Sequence, residues 1–178
     1  MNKNNSKFLS LVLRHKPETI KIKLDKNGWV EVDELLAKLK QHNREMSMKD
    51  LTNIVKFNDK KRFEFSDDGL KIRASQGHSV KVDLQLKAQR PPMKLYHGTV
   101  DKFIDAIKKE GLKKMNRHAV HLSHDLPTAT KVGSRRGEAI ILEINSGAMY
   151  ADKYIFFQSK NGVWLVNEVP PEYIKIKE

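Results

Sequence analysis

The run of residues 72–79 carries the most chemically informative side chains of the sequence. It brings together a cation, a hydroxyl, a carboxamide and an imidazole, on Arg73, Ser75, Gln76 and His78. The run ends a short amphipathic strand, where a glycine and polar side chains are typical of a turn. A guanidinium beside several hydrogen-bonding groups also suits an anion held by charge and hydrogen bonds together. The run by itself leaves both interpretations open.

Two further basic segments could bind phosphate. Arg14 and His15 lie at the end of a predicted amphipathic helix, where a basic pair can simply complement the helix dipole. If they lie near Arg73, they could place a second arginine and an imidazole around one phosphate. Arg135 and Arg136 stand between glycines before an apolar strand, as a solvated loop or as an arginine clamp for pyrophosphate or a transferred phosphate.

The tetrapeptide Tyr96-His97-Gly98-Thr99 is predicted to be a strand that runs into a glycine turn. Glycine allows a backbone to approach a flat ligand closely, while His97 and Thr99 offer hydrogen bonds. A structural turn explains the same residues equally well.

Three histidines, His118, His121 and His124, raise the question of a metal site. In an extended strand the first and third share one face and the second lies on the other, so one ion would be difficult to grip. The chain has no cysteine that could complete a ligand set. We therefore expect no metal site.

Composition restricts the possible classes of protein. The 178 residues are 39% hydrophobic and 31% charged, which is typical of a soluble globular protein. The absence of cysteine excludes disulfides and thiol nucleophiles. The apolar patch at residues 8–13 is too short for a signal peptide or a membrane span, so we expect a cytoplasmic protein. No Rossmann, P-loop or nucleophile-elbow motif occurs.

The net charge of +12 points to a polyanionic partner. Up to Arg90 the chain has 20 basic and 12 acidic residues, and after it 14 basic and 10 acidic. Most of the excess therefore lies in the first half, which we expect to meet the phosphates. A solvated lysine-rich surface remains the alternative.

The first half has the predicted element order of a winged-helix module, with three helices followed by a β-hairpin. The first helix covers residues 6–16 with Ser6 as its cap, the second begins with Asp33 as its cap, and the third begins at a capping box of Ser47 and Asp50. Alternating residues 62–66 and 70–73 form the hairpin around a turn.

A proline pair at Pro91-Pro92 divides the chain into predicted domains of residues 1–90 and 91–178. The second is predicted to contain a helix over residues 101–110 with Phe103 facing inward, and a central strand over 139–144. Shorter elements are expected at 94–96, 120–123, 126–132, 154–157 and 163–166. The fold class is α+β.

With these segments in order, the chain resembles the NAD-dependent RNA 2′-phosphotransferases, which remove the splice-junction 2′-phosphate from ligated tRNA. The matching segments are Leu13-Arg14-His15-Lys16-Pro17, Asn27-Gly28-Trp29-Val30, 72–79, Leu95-Tyr96-His97-Gly98-Thr99, Val120-His121-Leu122-Ser123, 132–137, Asn161-Gly162-Val163-Trp164-Leu165 and 169–174. Each segment is weakly specific by itself, but eight of them in one order cover nearly the whole chain.

The resemblance implies a winged-helix-like RNA-binding lobe followed by an ADP-ribosyltransferase-like lobe that binds NAD. It also implies a reaction of two steps. The RNA 2′-phosphate attacks the nicotinamide ribose C1″ and expels nicotinamide, which gives an ADP-ribosylated RNA phosphate. The ribose 2″-hydroxyl then attacks phosphorus, and the products are 2′-hydroxyl RNA and ADP-ribose 1″,2″-cyclic phosphate.

The family's catalytic group of three arginines and a histidine maps onto Arg14, His15, Arg73 and Arg135. We assign Arg14 and Arg73 to the 2′-phosphate and Arg135 to the transition state of the second step. His15 either hydrogen-bonds the phosphate or transfers a proton. Family members often have histidine where this chain has Arg136, so Arg136 is assigned an auxiliary role at NAD.

The remaining assignments concern binding. Ser75, Gln76 and His78 support the RNA phosphate by the same resemblance, and the NAD-binding residues are Tyr96, His97, Gly98, Thr99, His121 and Ser123. Protein-modifying relatives often place a glutamate in the last hairpin, where this chain has Gly162-Val163-Trp164. An acceptor that is already an anion needs no base for the first attack.

Two alternatives remain at this point. One is an ADP-ribosyltransferase that acts on nucleic-acid ends or on protein. The other is a winged-helix RNA or DNA binder without enzymatic activity, which would leave the second half's motifs unexplained. For the 2′-phosphotransferase we expect a monomer with RNA, tRNA in particular, and NAD as its partners.

Overall fold

The computed structural model of the chain describes residues 3–58 and 61–177. The chain divides into two compact units, Met1–Gln85 and Leu86–Glu178. The sequence predicted a division at Pro91-Pro92, and the division between the two units lies five residues earlier, after Gln85. The reason is that the segment ahead of the prolines belongs to the second unit. The backbone N–H of Gln89 donates to the carbonyl of Phe156 at 2.8 Å, and Ala88 forms an isolated antiparallel bridge.

The first unit combines helices with a small antiparallel sheet. Its described elements are α1 (Lys3–Arg14), a 3-10 turn (Pro17–Ile20), β1 (Val30–Glu31), α2 (Val32–Gln41), α3 (Met48–Phe57), β2 (Phe63–Phe65) and β3 (Lys71–Ala74). Strand β3 lies in the centre and pairs with β1 and β2 on either side. The predicted order of helices and hairpin is confirmed, and the winged-helix class stays a prediction.

One apolar core fills this unit. It is built from helix residues at helical spacing and from the inward residues of the hairpin, because both patterns present apolar side chains to one face. Fully buried members are Leu9, Val12, Leu13, Leu35, Leu39, Leu51 and Ile72. The core fixes the end of α1 beside the exit of β3, where the candidate residues lie.

The sequence predicted one helix start correctly and two wrongly. The capping box of α3 is present, since Ser47 and Asp50 exchange hydrogen bonds between side chain and backbone. Ser6 does not cap α1 but is buried inside it, where its hydroxyl accepts a hydrogen bond from Asn58 at 2.9 Å. Asp33 does not cap α2 either. It lies in the first turn, where its charge still complements the helix dipole.

The second unit contains more strands. Its described elements are β4 (Leu95–Thr99), α4 (Ile104–Glu110), β5 (Leu112–Lys113), β6 (Val120–Leu122), α5 (Leu126–Gly133), β7 (Ile140–Ile144), α6 (Ser146–Ala151), β8 (Phe156–Gln158), β9 (Trp164–Val166), β10 (Glu168–Val169) and β11 (Ile174–Lys177), with 3-10 turns at Asp101–Phe103, Ser134–Arg136 and Pro171–Tyr173. Two antiparallel sheets have the strand orders β11-β7-β4 and β6-β9-β8, and β10 pairs with β5.

Strand β7 is central, as its apolar run predicts, because β4 and β11 pair with it on opposite sides. The prediction that Phe103 faces inward is wrong. Its ring is 37% exposed because the residues before Ile104 form a 3-10 turn, which changes the face on which a side chain falls. The ADP-ribosyltransferase-like class of this unit stays a prediction.

Candidate functional site

In the first unit the end of α1 meets the run that follows β3. The carbonyl of Arg14 accepts hydrogen bonds from the backbone N–H groups of Ser79, at 2.9 Å, and Val80, at 3.3 Å. The Nδ1 atom of His15 lies 2.9 Å from the hydroxyl of Ser79. Two segments more than sixty residues apart in the chain therefore form one surface, which the spacing of the sequence motifs left open.

The guanidinium of Arg14 is tied to the strand that precedes the run. Its Nη2 atom donates to the carbonyl of Arg62 at 3.3 Å, and its Cζ lies 6.0 Å from the centre of the Phe63 ring. The same carbonyl of Arg62 accepts the backbone N–H of Ser75 at 2.8 Å. Arg14 and the start of the polar run are thus held by one backbone group.

Arg73 lies on β3 with three kinds of contact around its guanidinium. Nε donates to Oε1 of Glu64 at 2.9 Å, and Nη1 donates to the carbonyl of Asn27 at 3.3 Å. The Cζ atom lies 4.3 Å from the centre of the Trp29 ring, within the range of a cation–π contact. Only 13% of the Arg73 side chain is exposed. Glu64 is not among the residues predicted from the sequence, although its place in an alternating strand puts it directly across from Arg73.

The turn that supplies Asn27 and Trp29 depends on a glycine and an aspartate. Gly28 has a φ of +82°, which side-chain-bearing residues rarely adopt. Oδ1 of Asp25 accepts the backbone N–H groups of Asn27, at 2.8 Å, and Trp29, at 2.9 Å. The predicted tight Asn-Gly turn is confirmed.

The other three residues of the polar run differ in exposure. Ser75 is buried and its hydroxyl donates to the carbonyl of Lys61 at 3.2 Å. His78 is buried as well, close enough to the turn that a Cβ on Gly28 would lie 3.3 Å from its Nε2. Gln76 is half-buried. Ser75 and His78 are therefore packed inside the protein, and Gln76 is the most accessible of the three predicted phosphate contacts.

In the second unit β4 and β6 bring the predicted NAD-binding residues together. Tyr96 and Ser123 exchange backbone hydrogen bonds of 2.8 Å in each direction. The Nδ1 atom of His97 lies 3.0 Å from the carbonyl of His121. Because a carbonyl only accepts, this contact requires the proton of His97 on Nδ1 and leaves Nε2 as an acceptor.

His121 takes the opposite tautomer because of a residue that the sequence analysis missed. Nη1 of Arg117 lies 3.0 Å from Nδ1 of His121. An arginine only donates, so Nδ1 of His121 carries a lone pair and its proton is on Nε2. Burial lowers the pKa of His97, and the charge of Arg117 lowers it further, against the bond to the His121 carbonyl. Nε2 of His97 is therefore an acceptor and Nε2 of His121 is a donor.

Helix α5 packs directly on β4 at a pair of glycines. A Cβ on Gly98 would lie 2.0 Å from the carbonyl oxygen of Ala129 and 2.8 Å from the nitrogen of Gly133. Only glycine fits there, because any side chain would overlap the backbone of α5. The predicted close approach of this backbone to a flat ligand stays a prediction. Thr99 follows and is buried.

Arg135 lies in the exposed 3-10 turn after α5, and this turn contacts β4. The side chain of Arg136 lies outside the described residues. Among the described residues no group of His, Cys, Asp or Glu side chains could hold a metal ion, and His124 lies 2.9 Å from Asp125. No helix within residues 3–58 or 61–177 is long and apolar enough to span a bilayer.

Comparison with known proteins gives the family. Residues 1–168 match the family model described as "RNA 2'-phosphotransferase, Tpt1 / KptA family". The chain belongs to this family. A relative from Flavobacterium johnsoniae, named "Probable RNA 2'-phosphotransferase", is 56% identical and covers 98% of this chain and 96% of its own. Relatives of the same name from Burkholderia pseudomallei and Fusobacterium nucleatum are 54% and 52% identical, over 96% and 95% of this chain and 92% and 95% of theirs.

Membership of the RNA 2′-phosphotransferase family confirms the resemblance drawn from the eight motifs, and with it the class of transferase. The match covers both structural units, so the second unit's residues are accounted for together with the basic first unit. A nucleic-acid binder without enzymatic activity does not account for them.

Proposed function

We propose that the chain is an NAD-dependent RNA 2′-phosphotransferase that removes an internal 2′-phosphate, as on spliced tRNA. The observation that carries this proposal is that the end of α1, with Arg14 and His15, is hydrogen-bonded to the run that follows Arg73, in a member of this family. Two guanidiniums, each fixed by a backbone carbonyl, can neutralise a phosphate dianion without reorganising when it binds.

The first unit binds and orients the RNA phosphate. Arg14 and Arg73 take its oxygens, and Gln76 offers an additional hydrogen bond at the edge of the run. His15 is placed at the same surface by Ser79 and either hydrogen-bonds the phosphate or transfers a proton. The positive charge of the protein attracts the rest of the RNA backbone.

The second unit binds NAD, which supplies an electrophilic ribose carbon with nicotinamide as its leaving group. The residues fit a dinucleotide, since the rings of His97 and His121 offer it one hydrogen-bond acceptor and one donor. Tyr96, Thr99 and Ser123 complete the set that the sequence predicted. Arg136 is auxiliary.

Arg135 stabilises the charge that develops when the ribose 2″-hydroxyl attacks phosphorus. In that step the P–O bond to the RNA 2′-oxygen breaks and the new P–O bond closes the 1″,2″-cyclic phosphate. The proton lost from the hydroxyl is balanced by the proton that the RNA 2′-oxygen gains. His15 is the group we assign to this transfer.

The test is product analysis by mass spectrometry. The chain is incubated with NAD and an oligonucleotide carrying one internal 2′-phosphate, with a 2′-hydroxyl oligonucleotide as control. We expect nicotinamide, 2′-hydroxyl RNA and ADP-ribose 1″,2″-cyclic phosphate, and we expect Arg135→Ala to accumulate ADP-ribosylated RNA. A stable ADP-ribose adduct on RNA or protein, with the phosphate retained by the wild-type chain, would favour the alternative ADP-ribosyltransferase.

A further inference from the structure

Glu64 is an acid beside the proposed phosphate site that the reaction itself does not require. It lies across the hairpin from Arg73, and its side chain is 10% exposed. Its Oε1 is 2.9 Å from Nε of Arg73. A carboxylate at this place repels a phosphate and offsets part of the attraction of Arg73. By its charge alone Glu64 weakens anion binding, so any benefit to the site must come from another property of this side chain.

The contacts of Arg73 show what Glu64 can contribute. The bond from Nε to Glu64 and the bond from Nη1 to the carbonyl of Asn27 fix the guanidinium within its own plane. The ring of Trp29, 4.3 Å from Cζ, supports one face of that plane. Among the described residues nothing accepts a hydrogen bond from Nη2. A guanidinium has five N–H donors, so the Nη2 side remains available for a ligand.

We infer that Glu64 and Trp29 are positioning residues, which hold Arg73 so that the Nη2 side of its guanidinium meets the RNA 2′-phosphate. The inference rests on the proposed function. Glu64 orients the guanidinium of Arg73, although its charge weakens the attraction of Arg73 for phosphate. The ring of Trp29 lies against one face of the guanidinium and so limits the rotamers that Arg73 can adopt. An arginine without these contacts would lose side-chain conformational entropy when the phosphate binds, and this loss would weaken binding.

This role predicts effects of opposite sign for two substitutions at the same position. Glu64→Gln removes the charge but keeps an acceptor for Nε, so Arg73 stays aligned and phosphate attraction rises. Glu64→Ala removes both, so alignment is lost. A role through charge alone would make both variants bind phosphate more tightly than the wild type.

The measurement is fluorescence anisotropy without NAD, so that no turnover occurs. The readout is the ratio of the dissociation constants for an oligonucleotide with a 2′-hydroxyl and the same oligonucleotide with a 2′-phosphate. We expect Glu64→Gln to match or exceed the wild-type ratio, and Glu64→Ala to lower it about tenfold, as for loss of an aligned charged hydrogen bond. Trp29→Leu should lower the ratio and Trp29→Phe should keep most of it.

Glu31→Ala is the matched control. Glu31 pairs with Lys71 on the same strand as Arg73, but this ion pair is exposed, with 53% and 42% of the side chains accessible. We expect its ratio to equal that of the wild type. Circular dichroism melts verify that each variant is folded. If Glu64→Ala does not fold, the positioning role is tested by the other two variants. It then requires a lower ratio in Trp29→Leu and an equal or higher ratio in Glu64→Gln.

The outcomes separate the two proposals. A wild-type ratio of one, without phosphate removal, contradicts the proposed function. A wild-type ratio well above one, combined with an unchanged ratio in folded Glu64→Ala or Trp29→Leu, overturns the positioning role and leaves the function in place. A ratio that rises in Glu64→Ala as in Glu64→Gln also overturns it.

Discussion

Arg14 and Arg73 reach the proposed phosphate surface from different elements, yet each is tied to a backbone carbonyl of another segment. Arg14 donates to Arg62 and Arg73 donates to Asn27. A carbonyl fixes a guanidinium without cancelling its charge. At Arg73 the carboxylate of Glu64 offsets part of that charge as well. The sequence reveals the cations, but not these bonds, because each joins residues more than forty positions apart.

Arg73→Lys keeps a cation opposite Glu64 but loses the planar fork, so we expect 2′-phosphate removal to fall by about 10- to 100-fold with little loss of stability. Arg73→Ala should abolish removal and also lower the free energy of unfolding by about 1–3 kcal/mol, because the hydrogen bond to the largely buried carboxylate of Glu64 is lost. Single-turnover assays and urea unfolding measure the two effects.

Arg44→Ala is the control for losing an arginine that stacks on a ring. Arg44 lies 4.1 Å from the centre of the Phe8 ring, much as Arg73 lies over Trp29. We expect Arg44→Ala to keep full activity. Wild-type activity in Arg73→Ala would refute the assignment of this residue to the phosphate.

The lowered pKa of His97 makes the stability of the protein depend on pH. The folded protein holds this ring neutral, whereas the unfolded chain protonates it at its ordinary pKa near 6.5. The unfolded state therefore binds more protons below that pH, and stability is lost as the pH falls through and below about 6.5. His97→Asn keeps an N–H for the His121 carbonyl and cannot titrate, so its stability should depend less on pH.

Urea unfolding at pH 7.5 and pH 5.5 tests this expectation, with His118→Asn as the control for losing an exposed imidazole. We expect a smaller loss of stability between the two pH values in His97→Asn than in the wild type. An identical loss in both proteins would mean that His97 is not the group that titrates.

At the scale of elements, the contact between α5 and β4 is the tightest constraint on the second unit. We predict that Gly98→Ala destabilises the protein by about 1–3 kcal/mol or more, because the new methyl group meets the backbone of α5, which cannot move aside alone. NAD binding, measured by calorimetry, should weaken along with it, because α5 leads directly into Arg135.

Gly69→Ala separates steric overlap from backbone strain. Gly69 has a φ of +74° but nothing within 4 Å of its would-be Cβ, so this variant carries strain alone and should cost about 1–2 kcal/mol. We expect it to keep NAD binding. If Gly98→Ala is no less stable than Gly69→Ala and binds NAD normally, the close approach of α5 is not required.

Elements whose signals are local could be predicted from the sequence. The capping box at Ser47 and the tight turn at Gly28 each depend on residues within a few positions, and both are present. Ser6 has the same chemistry as Ser47, but its hydroxyl is engaged by Asn58 across the core. The two-residue strands β5 and β10 have no periodicity of their own and exist only because they pair with each other.

For the site, the residue types could be predicted from the sequence, but the contacts between them could not. Family motifs gave the cations and the histidines, since these recur as residue types in a fixed order. The partners Glu64 and Arg117 were missed because their role depends on which atoms they reach, Nε of Arg73 and Nδ1 of His121. A tautomer is likewise a property of a contact and not of a residue type.

At the scale of the whole molecule, a net charge of +12 with the excess concentrated before Arg90 predicts how binding depends on salt. RNA affinity should fall steeply as salt rises, because each phosphate contact releases counterions. For single strands each contact adds about 0.7 to the slope of log K against log salt concentration. Affinity for NAD, which carries few phosphates, should change much less. Anisotropy and calorimetry over a range of KCl concentrations compare the two.

A pair of lysine substitutions tests where the RNA backbone lies. Lys16 is exposed and follows His15 at the end of α1, whereas Lys108 is exposed on α4 in the second unit. Both Lys16→Gln and Lys108→Gln remove one charge, so they change the net charge equally. We expect only Lys16→Gln to reduce the salt slope, by about one phosphate contact. Equal slopes for the two variants would mean that RNA responds to net charge and not to the surface around Arg14, His15 and Arg73.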